Sequence, residues 1–187
     1  RKVVRTYKQV YPDVFKFMNY VHRFIGENKY AYTIFGRRRN LEDIISKDEL
    51  VQHRVLRQGF NFVIQSTSSD ILLFSLLGIN NTLAKHSMKS RVVSTVHDSI
   101  ELVAPYSEIE TVCNIVYDEM VRYPTIRNKT GNEFRVPFEI EVVVGKSFGD
   151  GIETKYDGLG CASNTDEICD YLGATIPEKQ YSSVIPF

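Results

Sequence analysis

Val92-Val-Ser-Thr-Val96-His97-Asp98-Ser99-Ile100-Glu101-Leu102-Val103 decides how the rest of the chain is read. β-Branched residues crowd the first half, Ile100, Leu102 and Val103 resume a β pattern, and a polar His-Asp pair stands between, which predicts two strands meeting at a tip. Downstream, Pro105 precedes a helix expected from about Ser107 to Val121, with Glu108 and Glu110 in its first turn, where the helix dipole favours negative charge. After a loop from Pro124 to Gly131, Phe138 to Val144 reads as a further strand. Strand, tip, strand, helix, strand suits an antiparallel sheet backed by helices, so the expected fold class is α+β.

Upstream, Val4, Tyr7, Val10, Tyr11, Val14, Phe15, Met18, Val21 and Ile25 recur at steps of three and four, one face of a long amphipathic helix. Pro12 removes a backbone donor and clashes with the preceding turn, so a break is expected near Tyr11, giving two helices. Gly26-Glu27-Asn28 is expected to end the second, Tyr30 to Phe35 to form a short strand, and Gly36-Arg37-Arg38-Arg39-Asn40 to form a cationic turn. Two more helices are expected, one from about Lys47 through Asn61 with Ser46 or Asp48 as cap, the other from about Ser69 to His86. Residues 151–187 are rich in Gly, Ser, Asn and Asp, with only Thr165 to Leu172 helical in pattern, and read as a peripheral extension.

The 187 residues are 43% apolar and 12% aromatic, enough for one domain or two small lobes and incompatible with disorder. Lys plus Arg equals Asp plus Glu at 23 each, yet residues 1–91 carry 16 cations against 7 anions and residues 92–187 the reverse. A chain so polarised can present a cationic face to an anion and keep acidic groups elsewhere, for instance around metal ions. Cys113, Cys161 and Cys169 lack metal-ligand spacing and read as reduced structural thiols. No continuous apolar run approaches the roughly 20 residues of a membrane span and no signal peptide is evident, so a cytoplasmic protein with no membrane partner is expected. The start at Arg1-Lys2 is compatible with a processed product or a piece of a longer polypeptide.

Three constellations could carry chemistry. Arg57, Asn61 and Gln65 fall at i, i+4 and i+8, projecting from one side of a helix as a row of donors suited to acceptors on bases or phosphates; a solvated helix face has the same spacing. His97-Asp98 at a strand tip mounts a carboxylate rigidly enough to ligate Mg²⁺, although an ordinary Asx-type turn uses the same residues. A Ser/His/Asp triad through Ser99 is disfavoured, because three consecutive strand residues cannot converge on one point. Arg37, Arg38 and Arg39, close to Tyr30, Tyr32 and Phe35, form a cation cluster compatible with phosphate contact or with plain solvation.

Taken in order, Tyr7-Lys-Gln-Val-Tyr11-Pro12-Asp13-Val14, Thr33-Ile-Phe-Gly-Arg37-Arg38, Arg57 with Asn61, Gln65-Ser-Thr-Ser-Ser-Asp70, Val96-His97-Asp98, Val136-Pro137 with Glu141-Val, and Gly145-Lys-Ser-Phe148-Gly resemble the C-terminal part of family A DNA polymerases, the bacterial polymerase I and phage replicative type. The resemblance implies an antiparallel palm sheet packed on helices, with residues 1–45 closing the fingers subdomain, 46–150 forming the palm and 151–187 extending past the family's usual end. It implies that Asp98 is one of two aspartates holding two catalytic Mg²⁺ ions and that His97 lies near the primer terminus. It further implies that Arg57, Asn61 and Gln65 meet the minor groove of primer–template DNA, with Arg37 and Arg38 on the cationic side. Ser99 replaces a usual Glu, leaving any supporting carboxylate to a group such as Glu101, and Phe148 replaces a common Trp as a packing aromatic.

The family's other metal-binding aspartate and its nucleotide-gripping fingers helix have no counterpart in these residues. The resemblance therefore implies an N-terminal polymerase segment, in the same polypeptide or on a second chain of a split enzyme, before dNTP is used; the isolated chain is expected to be inactive. A non-catalytic polymerase-derived module that binds duplex DNA or a replication partner is the alternative. Val184-Ile185-Pro186-Phe187 could dock on a clamp or processivity factor, or pack on the chain itself.

Overall fold

In a computed structural model, residues 2–121, 126–127, 133–134, 139–153 and 165–173 are described, with side chains over 6–121, 139–153 and 167–173. Val136, Pro137, Phe138, Cys161 and the terminal Val184–Phe187 lie outside them. Helix α1 (Lys2–Val10) ends two residues before Pro12, which takes the first position of α2 (Pro12–Asn28), where its missing N–H would have had no partner anyway. Gly26 lies inside α2 rather than ending it; the stop comes at Lys29, left-handed at φ 62°, whose N–H bonds the Ile25 carbonyl.

Strand β1 (Tyr30–Tyr32) is shorter than expected, because Gly36 at φ 88° turns the chain back and Thr33 N–H bonds the Arg37 carbonyl at 2.9 Å. Arg38 and Arg39 consequently belong to β2 (Arg38–Asn40), antiparallel to β1 with Tyr30 opposite Asn40, rather than to the turn.

The largest departure is α3 (Glu49–Lys85), one helix of 37 residues where two were expected. Asp48 caps it, its carboxylate accepting the Leu50 N–H at 2.8 Å. The polar run from Gln65 to Asp70 does not break it, since Thr67, Ser69 and Ser75 hydroxyls donate to carbonyls four residues back and so need no turn to be satisfied. The same interruption hid from a reading of continuous runs that α3 contains an 18-residue stretch of mean hydropathy 1.5, long and apolar enough by length and composition to cross a membrane. Residues of α3 enter two separate cores, yet only 22% of that stretch is buried, and Ile64, Leu73, Phe74 and Leu77 stand exposed.

The chain forms two compact units, Arg1–Asp70 with Arg127–Glu133, and Ile71–Ile126 with Phe134–Phe187. In the first, Val21, Ile25, Ala31, Leu41, Val55 and Phe62 form the core. Gly59 lets α3 approach there, since a Cβ would run into Ile25 and Leu41 side chains. Two short strands, β5 (Ile126–Arg127) and β6 (Glu133–Phe134), pair with each other.

In the second unit, β3 (Arg91–Val96) and β4 (Ser99–Val103) pair antiparallel with a bulge between Val92 and Ser94. Helix α4 (Ile109–Val121) follows a 3-10 turn at Tyr106–Glu108 and packs Val112, Ile115 and Val116 with Ile79 and Leu83 of α3. The expected strand from Phe138 begins only at Val143, as β7 (Val143–Ser147), paired with β8 (Asp150–Glu153). Ile140 and Val142 still pack on the core: alternation records which side chains are buried, and an unpaired extended segment meets that demand as well as a ladder does.

Every ladder with a described register is antiparallel, and among the described residues the strands form two-stranded pairs rather than one continuous sheet. Helix α5 (Thr165–Leu172) buries Ile168 and Leu172 against Ile109 and Cys113, so this part of the tail is core rather than periphery. Phe148, expected to pack, instead stands 78% exposed at the β7–β8 tip.

Candidate nucleic-acid interface and hairpin carboxylate

Val55, Gly59 and Phe62 turn one side of α3 into the first core, which leaves Arg57, Asn61 and Gln65 together on the opposite, exposed side. None of the three side chains makes a hydrogen bond among the described residues, and all three are exposed, so their donors face outward in a row. The helix supplies rigidity and the spacing supplies register.

The arginine cluster is divided in use. Arg37 Nε lies 2.7 Å from Asp70 Oδ1, and its Nη2 donates to the Ser66 carbonyl at 3.0 Å, tying the β1–β2 turn to α3. The Arg38 guanidinium sits 3.8 Å from the centre of the Tyr30 ring while its Nε donates to Asn40 Oδ1 at 2.9 Å. Arg39 lies over Phe62 at 5.9 Å. Arg37 thus first orders its own turn, and the cationic edge is carried by Arg38 and Arg39. Asp70 is the partner that sequence reasoning left without a role. Its signal is that no other carboxylate occurs between Glu49 and Asp98.

His97 and Asp98 form the two-residue loop closing β3 and β4, with Val96 opposite Ser99, and both side chains are exposed. His97 holds φ 56°, a left-handed conformation uncommon outside Gly, Asn, Asp and His. Ser99 Oγ lies 3.0 Å from the Val96 carbonyl and 2.8 Å from Glu101 Oε1, placing a second carboxylate on the β4 edge beside the tip. The hairpin base is pinned by Glu108, whose carboxylate accepts the Ser90 hydroxyl at 2.5 Å and the Ser90 and Lys89 N–H groups at 2.9 and 3.0 Å. The Ser90 hydroxyl holds Glu108 below the usual carboxylate range; burial opposes it, and the Lys89 and Ser90 N–H groups and the Lys89 charge each add a smaller lowering effect.

Among the described residues no group of three or more His, Cys, Asp or Glu side chains could hold a metal ion. Asp98 offers one exposed carboxylate, of the kind Mg²⁺ takes, and the described residues do not complete a ligand set around it.

Residues 1–150 match the sequence profile of DNA polymerase family A. The chain belongs to that family. This family A chain is 31% identical over 159 residues to a DNA polymerase of Bacillus phage SP01, a match covering 83% of the chain and 17% of the phage protein. It is 32% identical over 132 residues to a DNA polymerase of Escherichia phage T5, covering 66% and 15%, and 29% identical over 144 residues to DNA polymerase I of Treponema pallidum, covering 77% and 14%. In fold it is similar to the POL domain of Pol1 from M. smegmatis, solved in complex with DNA primer-template and dNTP, at a TM-score of 0.65 and 21% identity over 73% of this chain and 23% of that one. The family A chain therefore spans about one sixth of the length of its phage and bacterial relatives.

Proposed function

We propose that this chain is the C-terminal portion of a template-directed DNA polymerase that transfers nucleotides from dNTP to a primer 3′-hydroxyl. It comprises the end of the fingers over 1–45, the palm over 46–150 and an extension over 151–187. The observation that carries this reading is the exposed Asp98 at the tip of a two-residue hairpin in a chain of family A. Asp98 supplies one carboxylate toward two Mg²⁺ ions, and the rest of the ligand set comes from an N-terminal polymerase segment, in the same polypeptide or on a second chain. When bound, such ions supply charge neutralisation at the triphosphate and activation of the primer hydroxyl.

The residues of this chain do the positioning. Arg57, Asn61 and Gln65 point donors at the minor groove, where every correct base pair offers acceptors at purine N3 and pyrimidine O2, so pair geometry is checked without reading sequence. A mismatch displaces those acceptors. Arg38 meets phosphate, Arg37 holds the turn that presents it, and His97 lies beside the primer terminus. The bacterial or phage-infected host cytoplasm is the compartment such DNA synthesis implies, and a clamp or processivity factor is a further partner the tail could serve.

The test is a primer-extension assay on the chain reconstituted with an upstream polymerase portion. Asp98→Asn is expected to abolish incorporation while duplex binding, read by fluorescence anisotropy, is kept; the 187-residue chain alone is expected to incorporate nothing. The exposed donor row of Arg57, Asn61 and Gln65, which would serve duplex binding without any chemistry, favours one rival, a non-catalytic module that binds duplex DNA or a replication partner. Synthesis undiminished by Asp98→Asn would decide for it.

A further inference from the structure

Where α3 ends, the chain builds a cation-rimmed cavity that the polymerase reading leaves without a role. Ser87 is left-handed at φ 51°; its N–H bonds the Ala84 carbonyl and the Met88 N–H bonds the Leu83 carbonyl, each at 3.0 Å. This is a Schellman closure, which folds the residue after the cap back over the helix and packs Met88 on the core that contains Leu83. The way out is fixed as well, because Glu108 accepts the Ser90 hydroxyl and the Lys89 and Ser90 N–H groups. Between the two anchors lies a cavity of about 410 Å³, with buried Leu83 and half-buried Met88 at its floor, Ala84 at its side, and exposed Lys89 and Arg91 at its rim. That volume falls within the roughly 300–1,000 Å³ of clefts that take ligands, and the anchored loop means that little has to be ordered when one arrives.

Charge and shape say what fits. No carboxylate occurs from Ile71 to His97, whereas Lys85, Lys89 and Arg91 are close in sequence and all exposed. Glu108, close to Lys89, offsets part of this charge, and the carbonyl end of α3 about half of another unit, which still leaves the rim cationic. A bare phosphate chain would meet these cations and leave the apolar floor wet. A ligand that satisfies both needs an apolar group set among negative charges. The cavity opens broadly to solvent, which suits a chain segment crossing it with one side chain inserted better than a small molecule enclosed by it.

We propose that this cavity docks an acidic peptide segment of a partner protein, one large aliphatic or aromatic side chain entering over Leu83 and Met88 while flanking carboxylates meet Lys89 and Arg91. The site uses neither Asp98 nor the Arg57–Gln65 row, so it stands whether or not the chain takes part in synthesis.

The experiment titrates the full 187-residue chain into a fluorescein-labelled peptide of aspartates on both sides of a single leucine, reading Kd by anisotropy. Saturable binding that weakens with added salt is expected. Lys89→Glu with Arg91→Glu is expected to weaken it at least tenfold. So is Ala84→Trp, which fills the cavity and leaves every charge in place, with circular dichroism checking that helicity is kept. Lys47→Glu with Arg54→Glu makes the same change of charge at exposed positions in another segment and is expected to leave Kd unchanged. Replacing the peptide's leucine by serine is expected to cost at least tenfold too. No binding, an unchanged Kd in either cavity variant, or equal weakening by the Lys47 and Arg54 changes would each overturn the proposal. So would a leucine-free peptide that binds as tightly, or displacement of the peptide by duplex or single-stranded DNA, which would make the patch a nucleic-acid contact. Displacement by the portion of Bacillus phage SP01 DNA polymerase that precedes its matched segment would likewise overturn it, by showing that the rest of a polymerase chain covers the cavity.

Discussion

Asp70 and Arg37 sit 33 residues apart in sequence and 2.7 Å apart in space, with the Asp70 side chain 8% exposed and that of Arg37 49% exposed. Burying one member raises the cost of breaking the pair, because the remaining carboxylate would keep few routes to water. Asp70 Oδ2 is buried without a hydrogen-bond partner among the described residues, so the pairing through Oδ1 is its main compensation. Asp70→Asn is expected to lower stability by about 2 kcal/mol, the scale of a hydrogen bond to a charged group. Urea unfolding measures it, and an equal loss in an Arg37→Ala background would show that the pair is not responsible. At the hairpin tip, His97 at φ 56° invites the opposite experiment. His97→Gly is expected to stabilise the β3–β4 hairpin by roughly 1 kcal/mol by relieving the left-handed backbone, while His97→Val is expected to destabilise it. A thermal melt that ranks Val above Gly would show that φ does not limit the tip.

Helix α3 brings the proposed DNA-facing donors into register and feeds two cores. Gly59 sits where a Cβ would meet Ile25 of α2 and Leu41. Gly59→Ala is accordingly expected to cost about 1–3 kcal/mol by overpacking, despite the better helix propensity of Ala, and to raise the mobility of the Arg57–Gln65 face. Urea titration with amide exchange on α3 checks both; a stabilised variant would mean that Ile25 and Leu41 repack freely. The boundaries of α3 also show where reading along the sequence stops working. The hairpin, the break at Pro12 and the cap at Asp48 depend on neighbours within a few residues, and all three were legible. Continuity across Gln65–Asp70 was not, because hydroxyls that signal a turn in isolation are satisfied by back-bonding once the flanking segments are already helical.

Over the whole molecule the two units carry different pH sensors. In the first, burial and then the neighbouring His53 push the His22 imidazole below its ordinary range, so the folded state prefers it neutral. The unfolded chain binds this proton more readily, so the first unit is expected to lose stability as pH falls from about 6.5 through the lowered folded value. In the second, Glu108 is held low, so its contribution is full above the ordinary carboxylate pKa and disappears as pH falls through the lower folded one. Amide exchange between pH 7 and pH 3 is expected to show α2 opening at a higher pH than the β3–β4 hairpin. His22→Phe is expected to shift the first transition alone, and a single transition at every amide would rule out separate sensors.

The sequence by itself determined the α+β class, the helical register that puts Arg57, Asn61 and Gln65 on one face, and the tip that exposes His97 and Asp98. Each depends on a local period or on a turn a few residues long, which backbone sterics impose wherever the segment ends up. Only the tertiary structure decided that Arg37 is held by Asp70, that Phe148 faces solvent and that Ile168 and Leu172 enter a core. Those outcomes depend on which distant residue arrives opposite, and an arginine, a phenylalanine or a short tail helix has the same local pattern whether its partner comes or not.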